Sequence, residues 1–352
     1  MTTKTLFWLA YAGMFLLLIS SCQGRESQPA STPTTAPDTG GLTPDQIATL
    51  NSLERVDEYP LYVMHYQGEY SSTSSYPPFM DAGAAWACSL FTALGDEDQK
   101  LFGRNFDWRF SPAMLLFTDP PDGYASVSMV DIAYLGFDNQ AKNLAELPLA
   151  KRKALLQTPF LPFDGMNEYG LAIAMAAVPE SIMPDDPDKP TIDSLGIMRE
   201  ILDHARTVDE AVVIFGKHNI EWGSGPALHY LIADNGGEEQ QTGKSVLVEF
   251  SDSQMVVLPN EAPWHLATNH LRVNAQGNGG CDRYAKVRQQ LSSGGGKLSL
   301  QEALQLLSDV SQGGDYPTQW SIVYGINTGK IEVVMGREYS QRHTFQFPMA
   351  GE

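Results

Sequence analysis

Ala87-Cys88-Ser89-Leu90, followed by Leu101-Phe102-Gly103-Arg104-Asn105-Phe106-Asp107-Trp108, is the stretch from which the fold can be read. A lone cysteine opens a short apolar run. A polar turn, Gly95 to Lys100, separates it from a second strand-like run carrying Arg104, Asn105 and Asp107. Two such runs around a polar turn predict a β-hairpin. The hairpin returns a cation and a carboxylate towards the thiol, a layout suited to a nucleophile whose ionisation is set by neighbouring charges. The plainer reading is a buried structural cysteine beside a surface ion pair, since free cysteine is among the most buried residue types.

The totals narrow the classes. A chain of 352 residues makes one large domain or two ordinary ones, and 43% hydrophobic with 10% aromatic residues supplies a sizeable core. A formal charge of −19 with a pI near 4.7 excludes nucleic acid as a partner, because phosphate binding needs clustered Lys and Arg. The acidity reads as a solvated surface. Three cysteines, Cys22, Cys88 and Cys281, are too few for a disulfide framework.

The N-terminus reads as an export signal. Lys4 precedes an apolar stretch from Leu6 to Ile19, which is short for a permanent membrane span. Ile19-Ser20-Ser21-Cys22 is similar to a bacterial lipobox, in which the cysteine is lipidated and becomes the new N-terminus. The expected organisation is a lipoprotein signal peptide over 1–21 and a disordered Ser/Thr/Pro/Gly-rich linker over 22–42. A pro-segment or small subunit follows over 43–87, then a catalytic domain over 88–352. The protein is then extracytoplasmic, anchored to a bacterial membrane through Cys22.

Along the chain, Thr43-Pro44-Asp45 predicts a helix to about Val56, with Thr43 as N-cap. Tyr59 to Tyr70 reads as a strand, and 71–85 as a loop of small residues that lets the backbone bend before Cys88. Strands are expected at Tyr124–Leu135, after Asn167-Glu168-Tyr169-Gly170, and at His229–Asp234, Ser245–Phe250 and Gln254–Leu258. Helices are expected over Ala145–Gln157, 194–206, Val208–Phe215 (Thr207 and Glu210 forming a capping box), Cys281–Leu291 and Ser299–Val310. A terminal hairpin spans Thr318–Tyr324 and Lys330–Gly336. Runs of strands interrupted by pairs of helices predict a layered α+β fold with stacked antiparallel sheets.

Five short motifs stand in order: Cys88-Ser89, Gly103-Arg104-Asn105-Phe106-Asp107, Asn167-Glu168-x-Gly170-Leu171, Thr268-Asn269-His270 and Asp282-Arg283-Tyr284. Together they resemble the N-terminal nucleophile (Ntn) hydrolases of the choloylglycine hydrolase and acid ceramidase type. That group includes penicillin V acylases, bile salt hydrolases and autoproteolytic acyltransferases. The resemblance runs from about residue 57 to 347. It implies a four-layer αββα sandwich and a precursor that cuts itself between Ala87 and Cys88. The segment before Cys88 is similar to the small subunit that ceramidase-type members retain. By the same resemblance Cys88 is the nucleophile, with Arg104 and Asp107 the charged pair beside it. Asn269 then matches an oxyanion-hole donor, and Arg283 a second arginine of the pocket. One departure stands out. Where bile salt hydrolases carry an Asn after the Asn-Glu-x-Gly-Leu strand, this chain has Ala174-Met175-Ala176-Ala177, so a backbone N–H of Ala176 or Ala177 would have to serve.

The implied chemistry is hydrolysis of linear amide C–N bonds. A freed α-amine, with an ordinary pKa of about 7.7 to 8.0, takes the thiol proton without a histidine. Arg104 favours the thiolate, Asp107 holds the ammonium, and Asn269 donates to the oxyanion, a contact worth about 2.7 to 4 kcal/mol. The expected substrate is a small N-acyl amide, and the apolar run Phe110–Phe117 suits an acyl chain. The histidines lack metal-ligand spacing, so no metal or other cofactor is expected. Three alternatives stay open: an acyltransferase using the same nucleophile, a silent solute-binding lipoprotein, and a Cys88–Cys281 disulfide.

Overall fold

The computed structural model describes residues 41–70, 87–138, 143–179, 181–223, 225–237, 243–273, 275, 277 and 279–351. The expected signal peptide, the lipidation site Cys22, nearly all of the linker and the loop 71–85 lie outside the described residues. None of the described helices is long and apolar enough to cross a membrane.

The chain opens with α1 (Pro44–Asn51), β1 (Glu54–Asp57) and β2 (Leu61–His65). The hairpin β3 (Ala87–Ala93) and β4 (Leu101–Asp107) follows, then β5 (Ala113–Thr118) and β6 (Ser126–Asp131). After α2 (Leu149–Arg152) come β7 (Asp164–Asn167), β8 (Ala172–Ala177) and β9 (Thr191–Asp193). The helices α3 (Gly196–His204) and α4 (Val208–Gly216) lead to β10 (Asn219–Glu221), β11 (Leu228–Ala233), β12 (Ser245–Ser251), β13 (Gln254–Pro259) and β14 (Trp264–Ala267). The chain closes with α5 (Asp282–Ser293), α6 (Leu300–Asp309), β15 (Thr318–Gly325), β16 (Lys330–Met335) and β17 (His343–Gln346).

These strands form a nine-stranded sheet, β1-β2-β5-β6-β7-β8-β11-β12-β13, and a six-stranded sheet, β14-β3-β4-β15-β16-β17. Pairing in both is antiparallel except between β2 and β5. A small parallel pair, β9 and β10, stands apart. The core between the two large sheets holds Leu90, Phe102, Phe106, Trp320 and Tyr324 from one and Leu115, Met129, Ile173 and Leu231 from the other. A second core lies on the outer face of the six-stranded sheet, where α5 and α6 cover Phe91, Leu101, Val323 and Val334. α3 and α4 pack on the nine-stranded sheet. This is the expected α+β sandwich of four layers.

Several local expectations need correction. Most of Phe110–Phe117, the run expected to suit an acyl chain, is β5, whose Met114, Leu115 and Leu116 are fully buried in the core. A short apolar run without alternation is what a strand covered on both faces looks like. The single helix over Ala145–Gln157 is broken into short helical pieces, with Pro148 standing at the break before Leu149–Arg152. The strand over Tyr59–Tyr70 is shorter, and β1 precedes it where helix was expected to continue. Thr207 caps α4 by accepting from the Glu210 N–H at 3.2 Å, but the Glu210 carboxylate reaches past the cap to the N–H of Arg206 at 2.6 Å, so the reciprocal half of the box is not made.

Candidate active site

Strand alternation builds the site. In β3 and β4, Cys88 pairs with Phe106 and Leu90 with Arg104. Side chains two apart share a face, so Cys88, Leu90, Arg104 and Phe106 all point between the sheets. Ser89 and Asn105 point to the helical layer, where the Asn105 amide donates to the Leu307 carbonyl of α6 at 2.8 Å. Cys88 and Arg104 are thus diagonal neighbours on one face, and Arg104 Nη2 stands 3.7 Å from Cys88 Sγ.

Arg104 is fully buried. Its Nη1 donates to Asp164 Oδ2 at 2.7 Å and to the Phe163 carbonyl, and its guanidinium lies 5.0 Å from the Phe106 ring centroid. Asp164, on the opposite sheet, also accepts from Tyr324 Oη at 2.6 Å and Trp320 Nε1 at 3.3 Å. Burial opposes the charge of Arg104, but Asp164 and Cys88 outweigh it and keep the guanidinium protonated. The thiol feels opposing influences. Burial pushes Cys88 up, Arg104 draws it down, and Asp107 pushes it up again. Burial wins, so Cys88 holds its proton more firmly than an ordinary thiol.

Asp107 does not join Arg104. Three residues further along β4, it turns to the other face of the sheet, accepting from Thr318 Oγ1 at 2.5 Å and Gln312 Nε2 at 2.7 Å. Its Oδ2 lies 3.7 Å from Arg283 Nη1. Burial pushes Asp107 up to about 6 against these contacts.

Asn269 and Arg283 converge on the backbone of Cys88. The Cys88 N–H donates to Asn269 Oδ1 at 2.7 Å. Arg283 Nη1 donates to the Cys88 carbonyl and, at 2.9 Å, to Ser89 Oγ, while its Nη2 donates to Asn269 Oδ1 at 2.9 Å. The Asn269 amide nitrogen donates to the Ala177 carbonyl at 2.9 Å. The structure therefore brings Cys88, Arg104, Asp107, Asn269 and Arg283 to one end of the β3–β4 hairpin. It gives the Cys88 nitrogen to Asn269 rather than Asp107, and engages the Asn269 N–H₂ with β8. Cys88 and Cys281 are both free, and Thr268 Oγ1 donates to Cys281 Sγ at 3.5 Å. Among the described residues no three His, Cys, Asp or Glu side chains cluster as metal ligands.

Sequence reasoning missed Asp164. Asp164 opens β7, a strand whose residues are all buried, and no sequence motif marks it. Gln312 and Thr318, which hold Asp107, carried no signal of their own.

Comparison with known proteins agrees with this fold. The family model described as acyl-coenzyme A:6-aminopenicillanic acid acyl-transferase matches residues 157–337. That stretch contains Asn269 and Arg283, while Cys88, Arg104 and Asp107 precede it. No curated protein matches the sequence. Among solved structures, the chain is similar to a mutant of conjugated bile acid hydrolase from Clostridium perfringens, with TM-score 0.53 and 19% identity over 74% of this chain and 92% of that one. A second variant of the same hydrolase gives TM-score 0.54 at 19% identity, with the same 74% and 92% coverage. Penicillin V acylase from Agrobacterium tumefaciens gives TM-score 0.50 and 18% identity over 75% of this chain and 87% of that one.

Proposed function

Because the chain belongs to the acyl-coenzyme A:6-aminopenicillanic acid acyl-transferase family and has the Ntn-hydrolase fold, we propose that it is a self-activating cysteine amidohydrolase acting on linear N-acyl amides. One observation carries this reading: Cys88 presents its sulfur to Arg104 at 3.7 Å and its nitrogen to Asn269 at 2.7 Å. Both ends of the reacting residue are held, each by a different group.

Activation begins with the Cys88 thiol adding to the Ala87 carbonyl, its proton passing to the departing Cys88 nitrogen. The C–N bond breaks, the Cys88 nitrogen takes up a proton as an amine, and Ala87 is left as a thioester on the sulfur. Water hydrolyses the thioester, releasing the Ala87 carboxylate and regenerating the thiol. In the cut enzyme the α-amine accepts the thiol proton, and Asn269 Oδ1 orients that amine. The thiolate attacks the substrate carbonyl, the ammonium protonates the leaving amine, and water resolves the acyl-enzyme. The raised thiol fits this order, since the freed amine supplies the base that the precursor lacks.

Mass spectrometry of purified protein is expected to show a new N-terminus at Cys88, with Cys88→Ala remaining one chain and inactive. A wild-type protein that turns over while uncut would sink the proposal. A panel of N-acyl amino acids, penicillin V, bile conjugates and ceramides then identifies the acyl and amine halves. The family description favours a second reading, in which an amine rather than water takes the acyl group; product analysis with added amine separates the two. The lipid anchor at Cys22 belongs to the same proposal and predicts fatty-acid labelling that is lost in Cys22→Ser.

A further inference from the structure

A buried polar cluster that plays no part in the chemistry above bridges the two sheets behind Asn269. His229 lies on β11 and Glu249 on the neighbouring β12, both fully buried. His229 Nδ1 is 3.0 Å from Glu249 Oε1, and Nε2 is 2.7 Å from the Thr268 carbonyl oxygen. A carbonyl only accepts, so Nε2 carries a proton. Glu249 accepts from the Arg272 N–H through Oε1 at 2.7 Å and Oε2 at 2.9 Å, and from the Val273 N–H through Oε2 at 2.8 Å. Burial pushes Glu249 up, but His229 and these two backbone groups outweigh it and hold the carboxyl below its ordinary value. The two ring nitrogens of His229 thus join Glu249 Oε1 to the Thr268 carbonyl.

The points this pair grips matter more than the pair itself. Thr268 immediately precedes Asn269, and Arg272 and Val273 follow it closely. The chain leaving edge strand β14 is thus tied to the nine-stranded sheet on both sides of Asn269, while the Asn269 side chain makes a third tie to Ala177. Holding two sheets together needs no buried charges, since apolar residues of similar volume commonly serve as well or better. Fixing the register of a polar loop does need groups that read backbone N–H and C=O. We propose that His229 and Glu249 are positioning residues for Cys88: they clamp the chain on either side of Asn269 and so hold its Oδ1 on the Cys88 nitrogen.

This inference rests on the reading of Cys88 as nucleophile and of its amine as base. The test uses iodoacetamide as probe, following both the extent of cutting at Cys88 and the pH profile of Cys88 alkylation in the cut protein. His229→Gln and Glu249→Gln are expected to cut slowly. Their alkylation rate at neutral pH should fall by on the order of 100-fold, as misplacing a catalytic group by about 1 Å does, with the profile displaced to higher pH. Arg199→Met, which breaks the remote buried ion pair of Arg199 with Asp203 (2.6 Å), serves as control. It should lose thermal stability yet keep the wild-type profile. Val273→Pro deletes one backbone donor at a partly exposed residue and should shift the profile the same way by less, so the test survives a failure of the buried variants to fold. Wild-type cutting and profile in His229→Gln and Glu249→Gln, or in Val273→Pro where those two do not fold, would overturn the clamp. An active but uncut wild type would overturn the nucleophile reading itself, and that is seen before any variant is made.

Discussion

Arg104 shows how much one residue depends on partners from elsewhere in the chain. Its charge lies in the core, opposite Asp164, which comes 60 residues later on the other sheet. Removing one member of a buried pair leaves the other uncompensated, so Arg104→Met is expected to cost about 3–5 kcal/mol in urea unfolding. Arg104→Met with Asp164→Asn should recover part of that loss. Asp131 offers a cleaner test of buried charge. It is fully buried, its Oδ1 caps the Ala133 N–H at 2.9 Å, and burial pushes its carboxyl up to about 7. The folded state thus holds this proton more tightly than the unfolded chain, where the group has an ordinary carboxylate pKa near 3.9. The associated stability is present below about pH 4 and lost as pH rises towards 7. Asp131→Asn should therefore gain on wild type in thermal unfolding as pH climbs through that window, by at least about 1 kcal/mol; an equal difference at pH 5 and pH 8 would contradict it. Cys88, Arg104, Asp107, Asn269 and Arg283 were legible as candidates because they stand in short motifs. Their contacts were not, because Arg104 meets Asp164, Asn269 meets Ala177 and Asp107 meets Arg283 only across distant elements.

At the scale of elements, the hairpin β3–β4 was legible because it is local: two runs, one polar turn, no distant partner required. The β7–β8 turn was legible for the same reason. Asn167 Oδ1 accepts from the N–H groups of Tyr169 and Leu171, each at 3.1 Å, and Gly170 takes φ +77°. A Cβ at Gly170 would also lie 2.0 Å from the Ile326 carbonyl. Gly170→Ala is thus expected to lose about 2 kcal/mol or more, read as a lowered midpoint in thermal unfolding. β5 was not legible, since an apolar run covered on both faces lacks the alternation that marks a half-exposed strand. Its role became clear only from its neighbours, β2 on one side and β6 on the other.

At the scale of the whole molecule, the segment before Cys88 is built into the fold. β2 is not a surface strap. It pairs in parallel with β5 inside the nine-stranded sheet, and Leu61, Tyr62 and Met64 are buried. Arg152 Nη1 further holds α1 by donating to the Leu50 carbonyl at 2.9 Å. Cutting before Cys88 should therefore give two chains that co-elute in native gel filtration and separate only under denaturant. A fragment lost on native purification would contradict this.

The grip on the Cys88 backbone also carries a consequence for the order of events during synthesis. The nitrogen is held by a residue 181 positions downstream and the carbonyl by one 195 positions downstream. A nascent chain that has emerged only as far as the β3–β4 hairpin possesses the thiol but neither of these partners. Under the proposed reaction, scission then waits until the ribosome has delivered α5 and the sheets have closed. A truncated or misassembled chain stays in one piece, and the cut end at Cys88 becomes a receipt for completed folding.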